Sequence, residues 1–132
     1  MALILVVDDE AEVGEAIRRV LERAGFSVVV ANGVSEGLAA AETQQPDIVV
    51  TDMIMPKKNG IELIKAVRSR YPRVRVIAIS GGGSFGLNSY KPDAIKTHAY
   101  LAAAREAGAE EILTKPFDMN DLLAAVRRRL PN

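Results

Sequence analysis

Five polar residues in this sequence have types and positions that could do chemistry together: Asp8, Asp9, Asp52, Ser80 and Lys115. Three are carboxylates, one is a hydroxyl donor and one is a point cation. Three carboxylates at close range repel one another unless a cation compensates. A hard, oxygen-preferring ion such as Mg2+ suits them, because it takes few protein ligands, keeps several waters and leaves room for phosphate oxygens. Lys115 and Ser80 would serve the oxygens of a phosphoryl group. The set reads as a phosphoryl cradle with one carboxylate available as nucleophile. Each part alone has a plainer reading. Acids after a strand often cap helices, which applies to Asp9 in particular. Ser80 before Gly81 suits a turn, and Lys115 alone suits a solvated surface. The joint pattern is far more specific than any part.

The elements that must position these residues are short apolar runs. Leu3 to Val7 is continuous and apolar, as expected of a central strand, and ends in Asp8-Asp9-Glu10. Ile48-Val49-Val50-Thr51-Asp52 is a second such run, bounded by Pro46-Asp47 and by Pro56 and Gly60. Phe26 to Ala31, Val74 to Ile79 with Ser80 at its end, and Glu111 to Thr114 before Lys115 complete five expected strands. Helical spacing predicts helices over Glu12 to Ala24, Val34 to Thr43, Gly60 to Arg70, Pro92 to Ala107, and Met119 to Leu130. Gly25 and Gly108 are expected stops, Asn59 and Asp118 expected caps. Arg127-Arg128-Arg129 falls in a last helical turn, where cations favour the helix dipole.

Strand and helix alternate five times. That pattern predicts an α/β fold with a doubly wound parallel sheet and helices on both faces. In such a sheet with strand order 2-1-3-4-5, ligands bind beyond the carboxyl ends of the strands, near the switch point between strands one and three. Asp8, Asp9 and Asp52 are expected to converge there. The 132 residues fit one domain, 1–132, with no linker or internal repeat. A hydrophobic content of 48% argues against disorder, and zero formal net charge gives no global sign of nucleic-acid or acidic-membrane binding. The absence of cysteine excludes disulfides, thiolate metal sites and thiol nucleophiles. The apolar N-terminus lacks a basic leader and a small-residue cleavage site, and no apolar run is long enough to span a bilayer. A soluble cytoplasmic location is expected.

On these residues the sequence resembles a response-regulator receiver domain, with the CheY-like, flavodoxin-like (βα)5 fold. The matching segments are Ile4 to Glu10, Pro46 to Pro56, Asn59-Gly60, Ala78 to Gly81, Gly108-Ala109 and Lys115-Pro116-Phe117. They span essentially the whole chain. The resemblance implies that Asp52 is the phospho-acceptor, taking phosphoryl from a phosphohistidine on a sensor histidine kinase or phosphotransfer protein. It implies that Asp9 ligates Mg2+ directly and Asp8 mainly through water, with the backbone carbonyl of Ile54 as a further ligand. Lys115 would bind a phosphoryl oxygen, and Ser80 would move to hydrogen-bond the phosphoryl group. The output would be a switched protein-interaction surface, read by a downstream protein or a fused output domain. A phosphorylation-dependent dimer is compatible with it. Direct nucleic-acid contact and membrane association are not expected of this domain.

Three features depart from the family pattern. Ile112 stands where an aromatic residue usually lies, three positions before the lysine, so a ring cannot turn inward there; Ile112 is expected to fill that space constitutively. The stretch from Ser80 to Lys115 is longer than usual, with the excess around Gly83 to Thr97. It reads as a tolerated insertion or, given Phe85, Leu87 and Tyr90, as a partner contact. Ile54 and Gly82, two positions after Asp52 and Ser80, would hinder and fail to orient a hydrolytic water, which predicts slow self-dephosphorylation. His98, Lys57 and Lys58 read as surface residues, and Met53 and Met55 as packing or loop residues. Gly81-Gly82-Gly83 lacks the Gly-Lys-Ser/Thr of a nucleotide loop.

Two other functions compete, the first of them on the same fold. A non-phosphorylated interaction module would need none of the five polar residues. An aspartyl-phosphate phosphohydrolase would need an acid two positions after its nucleophile to protonate the leaving group, where this chain has Ile54. The expected role is therefore a phosphorylatable switch, acting chemically only on itself, and not an enzyme. The chain stops just after the fifth helix, as either a stand-alone receiver or a piece of a larger regulator would.

Overall fold

Alternation along the strands divides the core into two layers. The computed structural model describes residues 2–53, 60–80, 102–114 and 117–130, with Ser80 described by its backbone. Five strands run over Leu3–Val7 (β1), Ser27–Ala31 (β2), Ile48–Asp52 (β3), Arg75–Ser80 (β4) and Glu111–Thr114 (β5). They pair in parallel, as the alternation of elements predicts, and in the order β2-β1-β3-β4-β5 that the family resemblance implies. Helices lie over Ala11–Arg23 (α1), Val34–Gln44 (α2), Gly60–Arg70 (α3), residues 102–107 (α4) and Met119–Arg129 (α5).

Successive strand side chains point to opposite faces. Leu5, Val7, Val49, Val76 and Ala78 face one layer, with Ala41 of α2, Leu63, Ile64 and Val67 of α3, and Ala104 and Ala107 of α4. Ile4, Val6, Ile48, Val50, Ile77 and Ile79 face the other, with Ile17 and Leu21 of α1 and Leu122, Ala125 and Val126 of α5. Strands buried on both faces need continuous apolar sequence, which explains the unbroken runs. Burying one such side chain contributes about 1.5–3 kcal/mol. Where α1 meets the sheet, a Cβ on Gly14 would stand 3.0 Å from Val30 Cγ1.

Several element ends shift by one residue, each for a hydrogen-bonding reason. Val74 spends its N–H on Tyr71 O at 3.1 Å, so β4 begins at Arg75, whose N–H reaches Asp47 O. Phe26 likewise bonds back to Leu21 O, closing α1, and the ladder starts with Ser27 donating to Ala2 O. At the front of α1 the cap position is Glu10, not Asp9, and no side chain caps there. Gly25, at φ +103°, ends α1 as expected. Asp118 caps α5: its carboxylate accepts from Asn120 N–H at 2.8 Å, and Asp121 accepts from Asp118 N–H at 3.3 Å.

The amino-terminal edge of the sheet is knitted by charged groups. Asp47 Oδ2 accepts from Leu3 N–H at 2.9 Å, tying β1 to the start of β3. Glu110 accepts from Arg68 Nη2 at 3.0 Å, Arg75 Nη1 at 3.0 Å and Val76 N–H at 2.9 Å. Arg68 also lies across Gly108, whose φ of +125° and missing Cβ leave room for the guanidinium stem. Next in sequence, Glu111 takes Arg128 at 3.1 Å and Arg129 at 2.8 Å from the end of α5. Two of the three terminal arginines are thus engaged with a strand, beyond their place near a helix dipole.

Candidate functional site

The register of the central strands builds the site. Val7 pairs with Thr51 across β1 and β3, so the next residues, Asp8 and Asp52, emerge side by side at the carboxyl edge. Asp8 N–H still follows β2, donating to Ala31 O at 3.0 Å. Its Oδ1 turns back to accept Glu10 N–H at 2.8 Å, which leads the chain into α1 and leaves Asp9 at the surface. Asp8 is 1% exposed and Asp52 7% exposed. One carboxylate oxygen from each of Asp8, Asp9 and Asp52 lies within 4.8 Å of the others. The expected convergence of the three acids is therefore present. The cap reading of Asp9 is not, because Glu10 holds that position.

Gathering two buried carboxylates and one exposed one raises the free energy unless positive charge balances them. All three donors are hard oxygens, and one side of the group is open through Asp9. That donor set fits Mg2+ and suits no soft, thiolate-preferring metal.

The same edge receives β4 and β5. Asp52 pairs with Ile79, and Ser80 pairs with Thr114, the residue before Lys115. The Ser80 backbone therefore arrives on the strand next to Asp52, and the chain leading to Lys115 leaves the same edge one strand farther away. The Ser80 side chain, Ile54 and Lys115 lie outside the described residues, as do Met55, Lys57, Lys58, the stretch 81–101 and His98 within it. Ile112 pairs with Ala78 and is half-buried against the layer under α2, α3 and α4. Met53 is fully buried, in line with a packing role.

Gly60 is a site residue whose role was not evident from composition. A Cβ there would collide with the Asp52 carbonyl oxygen and stand 3.0 Å from Met53 Cα. No real Cβ tolerates such an approach. Gly60 N–H donates to Met53 O at 2.8 Å, so α3 starts against the backbone that carries Asp52. The available signal was a glycine at a first helical position, where better helix formers are usual.

Comparison with known proteins agrees with this geometry. The chain is 32% identical over 126 residues to the acid tolerance regulatory protein ActR of Rhizobium meliloti, covering 96% of this chain and 58% of ActR. It is 31% identical to the photosynthetic apparatus regulatory protein RegA of Rhodobacter capsulatus, covering 93% of this chain and 60% of RegA. The chain thus spans under two thirds of these relatives. A response regulator receiver domain from Clostridium thermocellum superposes with a TM-score of 0.80 at 32% identity, covering 98% of this chain and 94% of that one. Residues 4–127 match the model of the response regulator receiver domain. Five parallel strands in this order, three acids at their carboxyl edge and that match agree, and the chain belongs to the response regulator receiver domain family.

Proposed function

We propose that this receiver is switched by phosphorylation of Asp52 in a Mg2+-dependent reaction. The observation that carries the reading is the approach of the Asp8, Asp9 and Asp52 carboxylates to within 4.8 Å at the carboxyl edge of the sheet. Asp8 and Asp9, with Asp52 and the Ile54 carbonyl, would hold the ion. When bound, Mg2+ would offset the negative charge of the acids and of the phosphoryl oxygens. The Asp52 carboxylate oxygen forms a bond to phosphorus as the phosphorus–nitrogen bond of a phosphohistidine breaks, and the departing imidazole keeps the electron pair and takes up a proton. Lys115 steadies a phosphoryl oxygen, and Ser80 donates its hydroxyl to another. Catalysis here is positioning plus charge balance.

The acyl phosphate would then add charge beside a two-state surface and bias it. The phosphoryl donor would be a sensor histidine kinase or phosphotransfer protein, and the reader a downstream protein or fused output domain. The unit 1–132 would act as one receiver in the cytoplasm. Among the described residues, no helix is long and apolar enough to cross a membrane.

The test is incubation with acetyl phosphate and Mg2+ followed by intact mass measurement. The wild-type protein should gain one phosphoryl group, and chelation of Mg2+ or Asp52→Ala should abolish the gain. A wild-type protein that gains nothing, or an Asp52→Ala protein that still gains it, would refute the proposal.

A further inference from the structure

The peptide groups on either side of Met53 are held by three hydrogen bonds. Met53 N–H donates to Ile79 O at 2.9 Å, continuing the ladder to β4. Met53 O accepts from Gly60 N–H at 2.8 Å, closing the link to α3. Asp52 O accepts from the Thr51 hydroxyl at 2.9 Å. The first two bonds are backbone bonds that many sequences could make. The third requires a hydroxyl. Thr51 is fully buried, in a strand whose other members Ile48, Val49 and Val50 are apolar. A buried hydroxyl among apolar neighbours costs free energy unless it is bonded, and here its bond goes to the carbonyl of Asp52 itself. That same carbonyl is the atom a Cβ on Gly60 would strike.

We infer that Thr51 is a positioning residue for Asp52. Its hydroxyl fixes the tilt of the Asp52–Met53 peptide, while Gly60 leaves the space in which that peptide lies. The pinned carbonyl carbon is bonded to the Cα that bears the Asp52 side chain, so a shift of this peptide that carries the Cα with it displaces the carboxylate relative to Asp8 and Asp9. Misplacement by about an ångström can cost a reaction of this kind on the order of a hundredfold, because its catalysis rests on alignment. Thr51 touches no reacting atom and acts only through the carbonyl. The inference rests on the phosphorylation of Asp52 proposed above, and it adds a residue to that machinery.

Thr51→Val keeps the shape and removes the hydroxyl, and Thr51→Ser restores the hydroxyl in a smaller side chain. The initial rate of phosphorylation by acetyl phosphate with saturating Mg2+ should fall about tenfold in Thr51→Val. It should return to within about twofold of wild type in Thr51→Ser, since the same bond can form. Hydrogen exchange of the Met53 amide should quicken in Thr51→Val and not in Thr51→Ser. A general structural role predicts the reverse order, because valine packs better than serine in an apolar strand. Equal rates in the valine variant and wild type would overturn the inference, as would a serine variant as slow as valine. If the wild-type protein takes no phosphoryl group, the functional proposal fails by itself, and Met53 exchange still decides whether Thr51 pins the peptide. Should Thr51→Val not fold, Thr51→Ala against Thr51→Ser gives the same comparison.

Discussion

The two edges of the sheet treat acidic residues in opposite ways. At the amino edge, Glu110 and Glu111 each take two arginines, at 3.0 and 3.0 Å for Glu110 and at 3.1 and 2.8 Å for Glu111. At the carboxyl edge, Asp8, Asp9 and Asp52 are gathered against one another. The amino edge uses its carboxylates as fasteners between α3, β4, β5 and α5. The carboxyl edge concentrates negative charge, a donor set of hard oxygens that suits a divalent cation. Paired and gathered acids are therefore separated along the strand axis, with the layered core between them, and the proposed phosphorylation would place reactivity at the gathered end alone.

Substitutions at the two edges should separate in the same way. Asp8→Asn keeps an oxygen for Glu10 N–H and removes a charge from the acidic group. Phosphorylation of Asp52 by acetyl phosphate should fall by about two to three orders of magnitude, while the unfolding midpoint holds or rises. A midpoint that falls sharply would mean that this edge is also a fastener, and the contrast would break. Gly60→Ala should disturb both properties, because its Cβ would strike the Asp52 carbonyl oxygen. A loss of about 3 kcal/mol is expected, about 10 °C in thermal midpoint, with slower phosphorylation.

Glu110→Ala should act only on stability. It removes two ion pairs and the acceptor for Val76 N–H, at about 2 kcal/mol, and should leave the phosphorylation rate within about twofold. A large rate loss would show that the edges are coupled. The smallest effect concerns acid. Hydrogen bonds from Arg128, and then Arg129, hold the Glu111 carboxyl below the ordinary glutamate value against the opposing effect of burial. A lowered value means that the folded state favours the charged form. The contribution is complete above the ordinary glutamate range and is lost as pH falls through the lowered value. Glu111→Gln should flatten the acid limb of a stability-against-pH curve, measured by urea unfolding, and leave neutral phosphorylation unchanged.

The gathering of three acids at the carboxyl edge was legible in the sequence, and the ion pairs of the amino edge were not. Asp8 and Asp52 each end a strand run, Asp9 follows Asp8, and parallel strands deliver such residues to one edge by geometry alone. Glu110 and Arg68 stand 42 positions apart and carry no local pattern. Their meeting depends on where the end of α3 comes to lie against residues 108–110, just before β5. Gly60 was read as a helix start and as part of a family-matching pair, but its close approach to Asp52 O is a tertiary fact. Thr51 looked like one more β-branched strand residue, and its hydroxyl acquired meaning only with a partner at 2.9 Å. The strand ends missed by one residue, at Phe26 and Val74, were decided by turn hydrogen bonds that apolar patterning does not encode.

Arg68, reaching Gly108 O at 3.2 Å and Glu110 at 3.0 Å, marks the place where the polypeptide rejoins the sheet. That clasp joins the end of α3 to the residues just before β5, independently of the ladder itself. It therefore sets where β5 begins beside β4, so that Thr114 comes to face Ser80. The register of the last strand is thus anchored at its amino end, far from the acids at the other.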